Sequence, residues 1–177
     1  MEPVTPNTLK QFLTRLGERY TEPATLYLLG GSALLLLGNL RQTLDIDYMT
    51  DLNPQQQQWL ETIMNELAVE YQLDIEEVPI AEFVPLPAGA ETRRKFIGRF
   101  GQIKVYLFDL YTIAISKIAR GFESDMEDVV FLVKSNFIDL DELKKHFQSI
   151  LPRAAQKDII SSEFQQYFND LLRRLAD

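Results

Sequence analysis

The stretch that decides the fold runs from Leu26 to Asp51 and reads LYLLGGSALLLLGNLRQTLDIDYMTD. An apolar run at 26–29 ends at two glycines and a serine, and a second apolar segment follows at 33–37. A short polar stretch then leads into Asp45-Ile46-Asp47. This order predicts a strand, a glycine turn, a helix, a loop and a second strand that carries two carboxylates.

The turn Gly30-Gly31-Ser32 has the chemistry of an anion site. Where a strand runs into a helix, backbone N–H groups are free, and glycine lets a phosphate approach the chain closely. Ser32 could donate its hydroxyl to the same anion or cap the helix. Taken alone, such a turn is more often ordinary turn chemistry, so its meaning depends on the carboxylates that follow.

Asp45 and Asp47 lie two residues apart in the predicted second strand. Side chains at this spacing point to the same face, while Ile46 between them packs into the core. Two neighbouring carboxylates repel each other unless a cation lies between them. Such oxygen-rich pairs bind Mg²⁺, and paired ions can hold the attacking and leaving oxygens of a phosphoryl transfer. The plainer interpretation is a strand end with two solvated acids.

Together these motifs resemble the nucleotidyltransferase fold of the polymerase-beta type. Its signature is a strand, Gly-Gly or Gly-Ser at a helix start, and Asp-x-Asp or Asp-x-Glu on the next strand. Arg41 and Thr43, just before the aspartates, also resemble bacterial members. A second segment, SKIARGFESDMEDVVFL at 116–132, resembles the lysine–arginine–aspartate–aspartate helical motif of AbiEii-type partners of toxin–antitoxin pairs.

The resemblance implies a site for Mg²⁺ and a nucleoside triphosphate. Asp45 and Asp47 would hold the metal, and a third carboxylate would come from a neighbouring strand. Asp74 is favoured as that metal ligand and as a catalytic base because it lies mid-strand, and Glu76 is the alternative. Gly30, Gly31 and Ser32 would cradle the β- and γ-phosphates, and Lys117 would reach the phosphates, oriented by the two aspartates of its motif. Helix dipoles alone also favour cations and acids at those positions.

Composition and charge exclude several classes of protein function. The chain contains no cysteine, which excludes disulfides and thiolate chemistry. It lacks a signal-peptide pattern and a long apolar run, so we expect a cytoplasmic protein without a membrane partner. The net charge of -8 argues against strong general nucleic-acid binding. One basic group could still meet a polyanionic acceptor, or form the solvated face of a hairpin: Arg93, Arg94, Lys95, Arg99 and Lys104.

The rest of the chain predicts an α+β fold, in which a small mixed sheet flanked by helices precedes a C-terminal helical bundle. We predict an α/β domain at 1–108 and a helical region packed on it at 109–177. The predicted elements are helices at 7–20 and 53–70, strands at 25–29, 45–50 and 71–78, an edge or loop at 83–89, a hairpin at 94–108, and helices beyond Asp109 opened by capping boxes at Ser124 and Asp139. Asn7 is the predicted cap of the first helix, and the lone His146 is predicted to make no site.

Two functions of different classes follow from the sequence. The first is an Mg²⁺-dependent nucleotidyltransferase that moves a nucleoside monophosphate from a triphosphate to an unknown acceptor, which could be RNA, protein or a small molecule. The second is a non-catalytic interaction protein on the same fold, such as one half of a toxin–antitoxin pair with a partner encoded by a neighbouring gene. A third, weaker alternative is an unrelated α/β domain.

Overall fold

The computed structural model describes residues 2–177, and the chain forms two compact units. The first unit contains the residues up to Val78 together with Lys95–Phe108. The second contains Pro79–Arg94 and Asp109–Asp177. Segment 79–94 therefore groups with the C-terminal helices, whereas the sequence-based division assigned it to the first domain. Among residues 2–177, no helix is long and apolar enough to cross a membrane.

The first unit is built around a mixed five-stranded sheet with the spatial order β3-β2-β1-β5-β4. The pairs β1–β5 and β2–β3 are parallel, and the pairs β1–β2 and β4–β5 are antiparallel. Its elements are α1 (Pro6–Arg19), β1 (Ala24–Leu28), α2 (Gly30–Leu36), β2 (Asp45–Thr50), α3 (Pro54–Tyr71), β3 (Asp74–Glu77), β4 (Lys95–Phe100) and β5 (Ile103–Leu107).

Helices α1, α2 and α3 lie on one face of this sheet, where they contact β4, β2 and β3 respectively. The covered face carries the buried apolar side chains of alternate strand positions, such as Leu28, Ile46 and Val105. The other residues of the same strands point to the opposite face, because successive side chains alternate along a strand. We call that second surface the open face, since the three helices of the unit leave it uncovered. Asp45 and Asp47 lie on it.

The second unit is helical. It contains α4 (Ile80–Phe83), α5 (Leu110–Arg120), α6 (Glu123–Lys134), α7 (Leu140–Ile150) and α8 (Ser161–Ala176), with 3-10 helices at Ala90–Thr92 and Leu151–Lys157. Its core includes a stacked pair, Phe147 and Phe168, whose ring centroids lie 3.9 Å apart. Phe164 meets Phe147 edge-on at 4.6 Å, so α7 and α8 are joined by an aromatic cluster.

Most predicted elements are confirmed, including β2 at its predicted bounds and the hairpin turn with Gly101 at φ +59°. Three local predictions were wrong. The cap of α1 is Thr5, which accepts from the Thr8 N–H, because Pro6 takes the first helical position. Helix α6 begins after Phe122 without a side-chain cap, so Ser124 lies inside the helix. Strand β3 starts only at Asp74, because α3 extends to Tyr71 and ends at Gln72 in the left-handed conformation.

Candidate functional site

The glycine turn and the Asp-x-Asp strand meet at the end of β1. Leu29, the last residue before α2, donates its N–H to the Asp47 carbonyl oxygen at 2.9 Å. Gly30 has φ +55°, and a Cβ built on it would lie only 1.6 Å from Asp47 Oδ2. The Asp47 carboxylate therefore rests against the bare Cα of Gly30. The turn needs glycine here both for its backbone conformation and for the space that the carboxylate occupies.

The loop before β2 orients the first aspartate. Thr43 is buried, and its hydroxyl lies 2.9 Å from Asp45 Oδ1, to which it donates a hydrogen bond. A Cβ built on Gly31 would lie 2.9 Å from the Thr43 hydroxyl and 3.4 Å from the Arg41 guanidinium. The threonine and the arginine that precede the aspartates thus lie against the second glycine. This loop links the two motifs in space.

The structure brings three carboxylates together: Asp45, Asp47 and Glu76 each offer an oxygen within 4.8 Å of the others. We call this group the carboxylate cluster. In the parallel pairing of β2 with β3, Asp47 is the register partner of Glu76, and Asp45 is the partner of Asp74. All four side chains share the open face. Asp74, the favoured third carboxylate, lies one pair away from Asp47 and outside the cluster, and Glu76 takes its place there.

The electrostatics of the carboxylate cluster favour a bound cation. Three negative charges at this separation repel one another, and two of them, Asp45 and Asp47, are half-buried, where water screens them less. A divalent cation with oxygen ligands would remove this repulsion, and carboxylate oxygens are the ligands that Mg²⁺ takes. Tyr48, which follows Asp47, points to the covered face, where burial raises its pKa so that it stays neutral. The charge is therefore confined to one face of β2.

The hydroxyl of Ser32 has a hydrogen-bond acceptor within the chain. Its side chain is fully buried, and its hydroxyl donates to the Leu29 carbonyl oxygen at 3.0 Å. The hydroxyl thus closes the first turn of α2 from inside. The backbone N–H groups of this turn remain available, because the first residues of a helix have no acceptor within it.

The ammonium group of Lys117, expected to reach the phosphates, is paired with two aspartates in this structure. Its side chain is 4% exposed, and its ammonium group lies 2.8 Å from Asp128 Oδ2 and 3.3 Å from Asp125 Oδ1. Arg120 binds the same Asp125 through two nitrogens, at 2.6 and 3.0 Å. These four residues, which we call the ion cluster, join α5 to α6. In this structure the ion cluster is a buried link between two helices of the second unit.

The predicted basic group does not form one patch. Arg93 makes a bidentate pair with the buried Asp109, with both N–O distances at 2.8 Å, and Asp109 caps α5. Arg93 is therefore part of the helical unit. Arg99 and Lys104 are register partners in the hairpin of the first unit. Both side chains are exposed, and both line a groove of about 450 Å³ on the open face.

Comparison with known proteins matches this architecture. The family model described as "Nucleotidyltransferase of unknown function (DUF6036)" matches residues 7–174. The chain belongs to this nucleotidyltransferase family. A crystal structure of an antigenic nucleotidyltransferase-like protein from Paracoccidioides brasiliensis superposes with a TM-score of 0.50 at 15% identity, and the match covers 93% of this chain and 95% of that one. At this identity the likeness concerns the fold. No curated protein shows significant sequence similarity.

Membership in the nucleotidyltransferase family confirms the α+β fold that the motifs suggested and removes the unrelated α/β domain as an alternative. The sequence did not determine which acid completes the carboxylate cluster. Asp74 and Glu76 alternate to the same face, and only the register with β2 separates them. Placing a glutamate opposite the second aspartate requires knowing how two strands pair across a helix, and no local pattern supplies that.

Proposed function

We propose that this member of the nucleotidyltransferase family is an active, Mg²⁺-dependent enzyme. The observation that carries the proposal is the carboxylate cluster, assembled from two strands beside a glycine turn that leaves room for it. The substrate is a nucleoside triphosphate, and the reaction transfers its nucleoside monophosphate to an acceptor. An acceptor hydroxyl oxygen forms a bond to the α-phosphorus, the bond from that phosphorus to the bridging oxygen breaks, and pyrophosphate leaves. The hydroxyl proton passes to a base or to water.

The donor set fits a divalent cation. Three carboxylate oxygens from Asp45, Asp47 and Glu76 lie within 4.8 Å of one another, which places all three within reach of one ion. Bound Mg²⁺ would supply charge neutralisation for the phosphates and would draw together the attacking and leaving oxygens. Thr43 holds Asp45 in orientation through its hydroxyl. Such outer hydrogen bonds fix the direction of a ligand and tune its affinity.

Around the carboxylate cluster, the chain contributes positioning. The backbone N–H groups of the turn at Gly30 and Gly31 would donate to phosphate oxygens, and the missing side chains allow the phosphates close to the backbone. The guanidinium of Arg41 lies beside the same turn. A bidentate donor of this kind suits a phosphate, so we assign Arg41 to triphosphate binding in the role expected for Lys117.

The experiment that tests this function is label transfer from α-³²P-labelled triphosphates in Mg²⁺, offered total RNA and total protein as acceptors. We expect the wild type to transfer label and the double variant Asp45→Asn/Asp47→Asn to lose at least about 100-fold, since two ligating charges are removed from the reaction centre. Glu76→Gln should lose activity to a similar degree. Asp74→Asn is the matched control and should keep most of it.

Two outcomes overturn parts of this proposal. If the wild type neither transfers label nor binds nucleotide in a metal-dependent way, the chain is a non-catalytic member of its family. If Asp74→Asn is inactive and Glu76→Gln active, the third ligand is the residue that the sequence favoured. A link to AbiEii-type toxin–antitoxin pairs is a separate proposal, tested by co-purification with the product of the neighbouring gene.

A further inference from the structure

The open face of the sheet carries three rows of side chains in strand register. The first row contains Glu76 and Asp47 of the carboxylate cluster. The second row, the aromatic row, consists of Tyr27, Tyr106 and Phe96, because Tyr27 pairs with Tyr106 and Tyr106 pairs with Phe96. The third row, the cationic row, consists of Lys104 and Arg99 beside Thr25, which pairs with Lys104. Successive rows lie about 6.6 Å apart, two residues along a strand.

The aromatic row is a surface and not a second core. Phe96 is 55% exposed, although it is a large apolar side chain on an edge strand. Its ring meets Tyr106 edge-on at a centroid distance of 5.3 Å, and Tyr106 lies 6.0 Å from Tyr27. Tyr27 and Tyr106 are half-buried. The row therefore presents aromatic rings beside the carboxylate cluster, since Tyr27 is the diagonal neighbour of Asp47 on the adjacent strand.

The cationic row supplies the charge. The Lys104 side chain is exposed and forms no ion pair or hydrogen bond with any residue in 2–177. Arg99 is exposed and donates to the Gly101 carbonyl oxygen and to the Gln102 side chain, both at 3.1 Å. These residues line the groove of about 450 Å³ with Thr25 and with one acid, Asp51. Two cations and one carboxylate leave this groove positive in a chain whose net charge is -8.

We propose that the open face binds single-stranded nucleic acid, with bases stacked on the aromatic row and phosphates on the cationic row, and that this strand is the acceptor of the transfer. The acceptor role rests on the proposed function, whereas the binding of nucleic acid does not depend on catalysis. Aromatic rings combined with a positive groove are how proteins hold single strands without reading sequence. A duplex has its bases stacked internally and cannot use the aromatic row. A protein acceptor would have no specific need of either the aromatic row or the cationic row.

The test is fluorescence anisotropy of a labelled, unstructured RNA of about 12 nucleotides, and of DNA of the same sequence, in EDTA without triphosphate. We expect dissociation constants in the micromolar range and a logarithmic salt slope near -1.4 between about 50 and 200 mM KCl, from two phosphate contacts. A duplex of the same length should bind at least about tenfold more weakly. Equal binding of single strand and duplex, or no binding at about 100 µM protein, would overturn the proposal.

Substitutions separate the two rows. Lys104→Gln/Arg99→Gln should bring the salt slope close to zero, whereas Lys10→Gln, an exposed lysine on α1, should leave it unchanged. Phe96→Ser should weaken binding at least about fivefold with the salt slope retained, because stacking is not a counterion effect. Phe83→Ser, also an exposed phenylalanine, is its control. The proposal fails if the controls behave as the row variants do, with melting temperatures confirming that all variants fold.

The outcomes for this site and for the enzyme are separable. If the RNA binds as expected but no label is ever transferred, the nucleic-acid site stands and the catalytic proposal fails. If label is transferred only to protein or to a small molecule, and the strands do not bind, catalysis stands and the acceptor proposal fails.

Discussion

At the scale of single residues, the contact between Gly30 and Asp47 decides whether the carboxylate cluster can form. Gly30 meets two demands at once, a positive φ and an open space that the Asp47 carboxylate fills. These demands can be separated, because Gly38 has φ +93° and nothing within 4 Å of the position where its Cβ would be. An alanine at Gly38 would therefore add backbone strain alone, and an alanine at Gly30 would add the same strain together with a collision against Asp47.

Gly30→Ala should lose divalent-ion binding, because its Cβ displaces the Asp47 carboxylate. Titration with Mn²⁺, followed by its electron paramagnetic resonance signal, should show affinity reduced at least about tenfold. Gly38→Ala should bind Mn²⁺ as the wild type does, although both variants lose about 1–2 kcal/mol of stability from the left-handed backbone. Normal Mn²⁺ affinity in Gly30→Ala would show that Asp47 is not a ligand.

Thr43→Val tests the hydrogen bond that orients Asp45. Valine keeps the shape of the buried side chain and removes the hydroxyl that lies 2.9 Å from Asp45 Oδ1. We expect Mn²⁺ affinity to fall about 10-fold to 100-fold, as for other outer partners of metal ligands. Thr62→Val removes a hydroxyl that donates to the Gln58 carbonyl oxygen on the exposed side of α3, and should not change Mn²⁺ binding. A drop of equal size in both variants would contradict the assignment.

At the scale of elements, the sequence predicted strands and helices well where one segment decides its own conformation. Strand β2 alternates Asp45 and Asp47 with buried Ile46 and Tyr48, so both its bounds and its open face follow from period-two patterning. The choice between Asp74 and Glu76 depends on the pairing of β2 with β3, whose register places Glu76 opposite Asp47. The residues of one strand do not reveal its register with another strand, so the sequence could not identify the third carboxylate.

The ion cluster shows the same limit between helices. The spacing of Lys117, Asp125 and Asp128 is compatible with a phosphate site, yet the structure closes the ammonium group between the two aspartates. Lys117→Met should cost about 3–5 kcal/mol, because it leaves two buried carboxylates short of a partner. Urea unfolding should detect this loss. Nucleotide affinity, measured at a temperature where the variant is folded, should stay within about twofold, since the ammonium group does not face solvent; a tenfold loss would restore Lys117 to the binding site.

His146 should give the helical unit a pH dependence. Burial, and then the positive charge of Arg93, lower the pKa of His146, which packs edge-on against Tyr111 at 5.0 Å. Asp109 and Glu142 oppose this shift, and Lys145 adds to it. The unfolded chain therefore binds the proton more readily, and stability must fall as the pH drops below the unfolded value of about 6.5. Urea midpoints at about pH 7.5 and 5.5 should differ more for the wild type than for His146→Gln.

At the scale of the whole molecule, the chain carries a net charge of -8, and three of its acids meet in the carboxylate cluster. Folding brings Asp45, Asp47 and Glu76 together, and a bound cation would remove the repulsion among these three carboxylates. A function that needs a metal ion and a triphosphate would explain why three carboxylates lie so close together in this fold. The carboxylate cluster therefore predicts that a bound divalent cation stabilises the fold, and that removing one of the three carboxylates removes this stabilisation.

Asp47→Asn should abolish the stabilisation by Mg²⁺, because it removes one of the three carboxylates of the cluster. For the wild type, Mg²⁺ at ten times its dissociation constant should add about 1.4 kcal/mol, or roughly 3–6 °C. Scans at constant ionic strength keep general screening of the -8 charge equal across samples. Glu127→Gln removes an exposed acid from α6 and should retain the full Mg²⁺ shift. If Asp47→Asn retained the full Mg²⁺ shift, Asp47 would not be a ligand, and the case for a metal site would rest on Asp45 and Glu76 alone.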